Sequence, residues 1–428
     1  MKSFNQIRSA SAIALLVLLA ACGGTDSTSP EVTDPGTPGT PGTPGTPATE
    51  GDVYLAGART AWTYFEKNTQ ASTGLAGALP TFPFTTAWDI ASQIGATYSA
   101  HELGIINDAT YDGRITKILG TLRTVPLFDG VAFHRFYDSR NGQPVNAKWE
   151  PSTTGFGWSD TDIGRLSIWL RILAVNQPQY SSQATAIFQR LNMSRLISGG
   201  VLRGMNVDAN GNRVGFAETG IGYEQYAAAG FALWGQRATT SLDATAYRQP
   251  KTVRGVTINV DSRGSARLIS EPYIMMGLEI GYYAPALRTE AQSLLAVQQA
   301  RYDQTGILTM PTEDAMPDAP YYFYYYSIYQ GGNSFVVEGP DKGTVVQNPR
   351  WVSSKAAFAW RALFPTDYTL RTFNAVQAAA IPGNGWGAGV YEGTLRPTGY
   401  TSLNTAGIVL ESALYQKLGH PFLSQSIN

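Results

Sequence analysis

Four predicted helix starts pair carboxylates with aromatic side chains. These groups are Trp88 with Asp89, Trp158 with Asp160 and Asp162, Tyr223 with Glu218 and Glu224, and Tyr273 with Glu271. Glycoside hydrolysis requires two carboxyl groups, one protonated to release the leaving oxygen and one ionised as base or nucleophile. Because aromatic rings can also stack on sugar rings, the combination indicates glycan chemistry. We expect these side chains to converge in one cleft.

The chemical context of the acids suggests different roles for them. Glu218 lies in a loop before Gly220 and Gly222 without an evident capping role, and we favour it as the proton donor. A helix dipole would keep a carboxylate at a helix start ionised, which suits the base. The candidate catalytic residues are Asp89, Asp160, Asp162, Glu218, Glu224, Glu271 and Glu313.

Neighbouring charges would tune these acids. Asp160 and Asp162 are close enough in sequence to perturb each other's pKa, and Arg165, one turn further on, could neutralise Asp162. Glu313 precedes a tyrosine-rich segment, residues 320–326. That segment could line sugar subsites, or it could be buried with its hydroxyl groups satisfied, and the sequence favours neither interpretation.

The candidate substrate-binding residues are aromatic apart from one arginine. They are Trp88, Trp158, Arg165, Tyr223, Tyr273 and Trp386. Trp386 lies in the glycine-rich segment 383–389, from which it could stack on a sugar. This segment lacks the preceding strand and following helix that a phosphate-binding loop needs, so we do not expect it to bind a nucleotide.

Helix capping explains each acid taken singly. Ser, Thr and Asp are preferred N-caps, and acidic side chains are favoured by about 0.3–1 kcal/mol near a helix N-terminus. Ser159 and Asp162 have the spacing of a capping box, and Ser270 before Glu271 is an ordinary helix start. Only the recurrence of the pattern favours a shared active site.

Other chemistries fit the composition poorly. The three histidines are far apart in sequence, without metal-ligand spacing, so we predict no metal and no cofactor. A Gly-x-Ser-x-Gly elbow is absent, and the only cysteine, Cys22, lies at the N-terminus. The net charge of −1 provides no basic surplus for nucleic acid.

The N-terminus is typical of an exported bacterial lipoprotein. Residues 1–21 combine basic residues with a short apolar run, too short to span a bilayer, which ends at Cys22. An ordinary signal peptide with an incidental cysteine is the alternative. Residues 22–51 are rich in Gly, Thr and Pro and predict a disordered tether. We expect Cys22 to carry a membrane-anchoring lipid, and Gly23 suggests sorting to the outer membrane.

Helical periodicity dominates the predicted single domain, residues 52–428. We predict helices at 53–68, 87–103, 111–123, 159–175, 181–191, 223–235, 271–282, 285–302, 352–363, 368–380 and 403–418. A β-hairpin is expected at 201–216 and a short β excursion at 383–396. A repeat superhelix would need a fixed sequence period, which is missing. The expected fold is therefore all-α, an α/α toroid formed by a double ring of helices with long loops.

Several motifs resemble a bacterial envelope family known only as a domain of unknown function, type 3131. They include residues 86–89, 157–166, 222–224, 230–235, 270–273, 354–360, 364–369 and 403–405. The family is similar to α/α-toroid glycoside hydrolases, the endo-β-1,2-glucanases and the hydrolase-like domains of cyclic-glucan synthases. The resemblance implies a toroid and a glycan substrate, but it supplies no catalytic pair.

The resulting hypothesis is a lipid-anchored glycoside hydrolase that acts on an envelope or environmental glucan by carboxylate acid/base catalysis. One alternative is a non-catalytic glycan-binding or scaffold lipoprotein on the same fold. A second alternative is a polysaccharide lyase, which the lack of a basic surplus for polyanionic substrates disfavours. We expect an oligosaccharide or polysaccharide partner and membrane attachment through Cys22.

Overall fold

The first helix begins inside the segment predicted as a tether. The computed structural model describes residues 48–264, 267–340, 343–424 and 427. Helix α1 starts at Glu50, where Thr49 and Asp52 form a reciprocal capping box. The predicted signal peptide, the lipidated Cys22 and most of the predicted tether lie outside the described residues. Residues 49–428 form one compact unit.

The described residues contain thirteen α-helices. They are α1 Glu50–Asn68, α2 Ala87–Glu102, α3 Asp108–Leu122, α4 Asp160–Asn176, α5 Ser181–Phe188, α6 Met193–Leu196, α7 Tyr223–Ala232, α8 Thr239–Leu242, α9 Glu271–Glu279, α10 Pro285–Thr305, α11 Ser354–Leu363, α12 Asp367–Val376 and α13 Leu403–Leu418. All eleven predicted helices are present, with ends that differ by a few residues. The additional helices, α6 and α8, are four residues long and too short to show periodicity.

Eighteen short strands lie between the helices. They are β1 Phe84–Thr85, β2 Leu127–Phe128, β3 Ala132–Phe133, β4 Tyr137–Asp138, β5 Gly157–Trp158, β6 Ile197–Ser198, β7 Val201–Val207, β8 Arg213–Ala217, β9 Arg248–Val253, β10 Val256–Asp261, β11 Glu313–Ala315, β12 Tyr322–Ile328, β13 Ser334–Glu338, β14 Val345–Val346, β15 Trp351–Ser353, β16 Ala380–Ile381, β17 Gly385–Trp386 and β18 Gly389–Tyr391.

The prediction of an all-α fold with one or two hairpins is therefore wrong in its strand content. The expected hairpin is present as β7 and β8, and the expected β excursion contains β17 and β18. The sequence analysis missed the β9–β10 hairpin and the four-stranded antiparallel sheet β11–β12–β13–β14. The tyrosine-rich segment is strand β12 of that sheet, and Glu313 is paired with Tyr324 across β11 and β12.

Six helices contact one another in a closed circuit. The order is α2, α4, α7, α9, α11 and α13, and α13 returns to α2. These helices are buried on nearly all sides, which explains their almost continuous apolar and small-residue sequences. Helices α3, α5, α8, α10 and α12 pack against successive members of the circuit, and α1 packs against α13. Among the described helices, none is long and apolar enough to cross a membrane.

Glycine allows α4 and α7 to approach until their backbones touch. A Cβ atom built on Gly230 would lie 2.0 Å from the carbonyl oxygen of Gly164. A Cβ atom built on Gly164 would lie 2.6 Å from the Cα atom of Ala227. Since the obstructing atoms belong to the backbone, neither contact can be relieved by a side-chain rotation.

We expect Gly230→Ala to lower the free energy of unfolding by at least 2 kcal/mol, roughly the cost of forced overpacking. The matched control is Gly113→Ala, at an open and exposed site within α3. That change should raise the stability by about 0.5–1 kcal/mol because it removes backbone freedom in a helix. Chemical denaturation measures both, and equal stabilities of the two variants would contradict the close packing of α4 and α7.

Candidate active site

The acidic start of α2 is held by reciprocal hydrogen bonds. The N–H of Asp89 donates to Thr86 Oγ1 over 3.0 Å, and the N–H of Thr86 donates to Asp89 Oδ2 over 3.0 Å. Trp88, beside this capping box, lies with its ring centroid 5.9 Å from that of Tyr223 at the start of α7. The two helix starts therefore meet, as the sequence pattern predicts.

Two carboxylates meet at the start of α4. Glu218 Oε1 accepts a hydrogen bond of 3.2 Å from the N–H of Asp160, the first residue of the helix. Ser159 caps the same turn and donates to Asp162 Oδ1 over 3.2 Å. Glu218 therefore does have a capping role, contrary to the sequence-based expectation. The proposed role of Glu218 as proton donor stays a prediction.

Asp162 is a half-buried acid whose environment favours protonation, and burial also raises the pKa of the buried Asp89 and Asp160. Burial raises the pKa of Asp162 to about 7, assisted by the negative charges of Glu218 and Asp89. Arg135 opposes this shift without cancelling it. The side chain is half-buried, so solvent can still reach it. A carboxyl group with this pKa can hold a proton near neutral pH and release it during a reaction.

Strand β12 brings tyrosines to the same cluster. Burial raises the pKa of Tyr223, Tyr322 and Tyr324 well above the usual value, and the next contribution in each case is the charge of Glu313. The charge of Asp162 also acts on Tyr324. Glu313 and Asp162 therefore lie close to the same tyrosine face, although they are far apart in the chain.

Two polar atoms at this position are buried and accept or donate no hydrogen bond among the described residues. They are Trp88 Nε1 and the hydroxyl of Tyr223. A buried unpaired polar group costs about 1–3 kcal/mol. Both groups therefore lack a hydrogen-bond partner that a buried polar atom usually has.

The sequence profile of the family described as Protein of unknown function (DUF3131) matches residues 56–419. The chain belongs to this family. No protein with a curated description matches it. This DUF3131 chain nevertheless shares its fold with solved glycan-active proteins.

One similar structure is a provisionally assigned glucoamylase from Bacteroides caccae, with a TM-score of 0.63, 14% identity and coverage of 86% of this chain and 94% of that one. The endo-β-1,2-glucanase from Chitinophaga pinensis, in complex with sophorotriose and glucose, has a TM-score of 0.59 and 14% identity, over 87% and 94% of the two chains. The enzyme of the same name from Talaromyces funiculosus, in complex with sophorose, has a TM-score of 0.58 and 11% identity, over 86% of each chain. At these identities the likeness establishes a common fold.

A buried network of ions in the DUF3131 fold accounts for two residues predicted to contact substrate. Arg165 is fully buried and donates to Glu279 over 3.2 Å and to Glu411 over 3.1 Å. Glu271 is also fully buried, and its carboxylate lies 2.6 Å from Lys355 Nζ. Asn404 joins the two groups, because it donates to Glu271 over 2.6 Å and accepts from Arg165 over 3.1 Å.

The structure therefore places Arg165 and Glu271 in buried ion pairs, and their predicted roles in substrate binding and catalysis stay predictions. Neither side chain has a face open to solvent, and the charge of each is already satisfied by its ionic partners. Asp160 is buried as well, and burial raises its pKa well above the usual value. Its side chain is fully buried, and Oδ2 accepts a hydrogen bond of 2.9 Å from the N–H of Arg203.

Glu224 and Tyr273 belong to interior contacts instead of the cleft. Glu224 is buried, lies 2.7 Å from Arg263 and accepts a hydrogen bond from Ser241. The Tyr273 hydroxyl donates to Glu290 over 3.2 Å, and the ring is buried. Successive residues of a helix point in different directions, so an acid near a helix start does not have to face the other acids.

Two predicted sugar platforms are core residues. Trp158 is 1% exposed and donates from Nε1 to the carbonyl oxygen of Arg203 over 2.7 Å. Trp386 is also 1% exposed and donates to the carbonyl oxygen of Gly57 over 2.9 Å. Neither ring has a face available to a sugar. Short strands β5 and β17 fix both residues in the interior.

The sequence analysis missed Arg135 and the alternation within the tyrosine-rich segment. Arg135 acts on both Asp162 and Tyr324, but nothing in its local sequence marks it as a site residue. In strand β12, Tyr322, Tyr324 and Tyr326 share one face, while Phe323 and Tyr325 are buried on the other. The period of two could have revealed this strand.

We expect Arg165→Met to lower the free energy of unfolding by about 3–5 kcal/mol, because it leaves buried carboxylates unpaired. The control is Arg213→Met, which removes an ion pair with Asp129 in which both side chains are exposed. That change should cost less than about 1 kcal/mol. Denaturant titrations measure both values, and a small loss for Arg165→Met would show that the buried network is not needed for stability.

Proposed function

We propose that this DUF3131 protein is a glycoside hydrolase that cleaves a neutral glucan, with β-1,2-glucan as the first candidate substrate. The observation that carries the proposal is Asp162, an accessible acid with a pKa raised to about 7, placed beside other carboxylates and tyrosines. The common fold with endo-β-1,2-glucanases and a glucoamylase-like protein supports the same substrate class.

Asp162 is the proposed proton donor. It would transfer its proton to the glycosidic oxygen as the bond between that oxygen and the anomeric carbon breaks. Water then supplies the hydroxyl group to the anomeric carbon and a proton that restores Asp162. Glu218, held ionised at the start of α4, keeps the pKa of Asp162 high in this scheme.

Glu313 is the proposed ionised partner of Asp162. It is almost buried, it lies beside the tyrosine face of β12, and the cation of Lys355 acts on it. In this scheme the cation of Lys355 would stabilise negative charge on Glu313. Asp89, fixed by its capping box with Thr86, is proposed to contribute negative charge instead of taking part in bond cleavage.

Aromatic residues and unpaired donors would bind the sugar. Trp88 Nε1 and the Tyr223 hydroxyl are suited to donate to sugar hydroxyl groups, which would satisfy both of them. The half-buried rings of Tyr322 and Tyr324 offer faces for stacking. A mostly aromatic lining with few directed polar groups is usual for small-molecule sites and requires no net charge on the ligand.

The helix circuit is proposed to be the inner ring of an α/α toroid. The closed contact order from α2 to α13, with a second helix packed outside each member, supports this architecture. The starts of α2, α4 and α7 lie near one another, which a toroid explains by placing inner N-termini at one mouth. The shared fold with endo-β-1,2-glucanases is consistent with it.

Lipid attachment at Cys22, with the outer membrane as destination, is also proposed. The support is the apolar run that ends at Cys22 and the Gly, Thr and Pro-rich segment that follows. Cys22→Ser should move the protein from the membrane fraction to the soluble fraction of the producing cell. The same distribution for both proteins would reject the lipid anchor and leave the enzymatic proposal intact.

We expect Asp162→Asn to lower kcat on linear β-1,2-glucan by about a hundredfold or more, the usual contribution of a general acid. Release of reducing ends measures turnover, with soluble starch as a second substrate. Asp208→Asn, on the exposed turn between β7 and β8, is the matched control and should retain full activity. Wild-type protein that releases no reducing ends from either glucan would overturn the proposed activity.

We expect Glu218→Gln to shift the alkaline limb of the pH–activity profile to lower pH. In the wild type, activity should fall as pH rises through about 7, because Asp162 loses its proton. Removing the charge of Glu218 lowers the pKa of Asp162, so the proton is lost at lower pH. A purely structural role for Glu218 would lower activity at every pH and leave the limb in place.

A further inference from the structure

Five aromatic rings form a cluster beside the acids, which we call the aromatic rim. It consists of Phe82, Phe84, Phe136, Trp149 and Phe156. The Trp149 ring is stacked on Phe84 with centroids 5.3 Å apart and meets Phe82 edge-on at 4.7 Å. Phe136 lies 5.1 Å from Trp149 and is stacked on Phe156 at 5.5 Å.

The aromatic rim is only partly covered by protein. Phe84 is buried, but the other four rings keep part of their surface in solvent. Single exposed apolar residues are ordinary on a protein surface, whereas contiguous apolar surface often marks a binding site. The rim is a group of touching rings drawn from three separate chain segments.

Trp149 is held in a strained backbone conformation. Its φ angle is +65°, a region that bulky residues rarely adopt. Asn146 closes the loop around it, since its Oδ1 accepts from the N–H of Lys148 over 2.8 Å and its carbonyl oxygen accepts from the N–H of Trp149 over 2.9 Å. Strain of this kind costs about 1–3 kcal/mol and is concentrated at functional sites.

The aromatic rim is continuous with the acid cluster through the chain. Phe84 is followed by Thr86, whose capping box holds Asp89. Phe156 is followed by β5 and then by Ser159, the cap that binds Asp162. The same two helix starts therefore carry the acids and anchor opposite parts of the rim.

Arg135 joins the two regions in space. Its guanidinium carbon lies 5.9 Å from the centroid of Phe156, and its charge acts on Asp162. One nitrogen donates to the carbonyl oxygen of Trp158 over 3.3 Å, while Nε is buried without a hydrogen-bond partner among the described residues. Arg135 thus lies between the rim and the acids.

We propose that the aromatic rim is a sugar-binding subsite for a glucose unit of the same glucan chain, remote from the bond that is cleaved, with Trp149 as its platform. This inference rests on the proposed function, because it assumes that the chain runs from the rim to Asp162. The occupant is a neutral hexopyranose unit, since the rim consists of aromatic rings. The proposed subsite predicts that long glucan chains bind better than short ones.

The test compares Trp149→Ala and Trp149→Phe with wild type on linear β-1,2-glucan and on sophorotriose. Trp149→Ala should raise KM for the long glucan about tenfold, equivalent to about 1.4 kcal/mol, leave kcat unchanged and leave both constants for sophorotriose unchanged. Trp149→Phe should recover most of the loss. The matched control is Trp234→Ala, a half-buried tryptophan stacked on Phe188 that should leave KM unchanged.

Binding to immobilised β-1,2-glucan, measured with Asp162→Asn as the background, separates the rim from the enzymatic proposal. If Trp149→Ala weakened this binding and Trp234→Ala did not, the proposed subsite would be supported. This would hold even if the wild type released no reducing ends. If Trp149→Ala affected neither hydrolysis nor binding of the long glucan, the proposed subsite would be overturned. The proposed function would still stand. If Trp149→Ala weakened the action on sophorotriose as much as on the long glucan and also lowered the unfolding midpoint, the cluster would have a packing role. That result would also overturn the proposed subsite.

Discussion

Charge neutralisation inside the helix circuit is the constraint on which the rest of the structure depends. The circuit is lined by Arg165 and Lys355, and each cation faces two carboxylates, Glu279 with Glu411 and Glu271 with Asp314. Burying an ion without a partner costs several kcal/mol, so these groups stabilise the fold only as a complete set. Asn404 connects the two sets and thereby fixes α13 against α4 and α9.

Desolvation raises the pKa of acids both in the interior and at its edge, but only at the edge can the acid exchange a proton with solvent. Burial raises the pKa of Glu411 and Glu279, where the groups are inaccessible and can only be structural. At the start of α4 burial is incomplete, and Asp162 has a pKa of about 7 while still open to solvent. The depth of burial therefore separates the acids in the core, which stabilise the protein, from Asp162 near the surface, which could transfer a proton.

The strands decide which aromatic residues face the acids. Sheet β11–β14 orients Tyr322 and Tyr324 towards Glu313 and turns Tyr325 into the core, where its hydroxyl binds Glu392. The loop before β5 places Phe156 and Trp149 beside the start of α4. Helices α2 and α4 supply Asp89 and Asp162, and strands β11 and β12 supply Glu313 and the tyrosines beside it.

The sequence by itself determined the helices, because apolar periodicity and capping residues are local properties. It also indicated that Asp89, Asp162, Glu218 and Glu313 belong with aromatic side chains. It did not distinguish Asp162 from Asp160, since the two residues belong to the same helix start, and it did not predict that the Trp386 ring is buried. Tertiary structure decided these cases, because solvent exposure, pKa and hydrogen-bond partners depend on residues that are distant in the chain and adjacent only after folding.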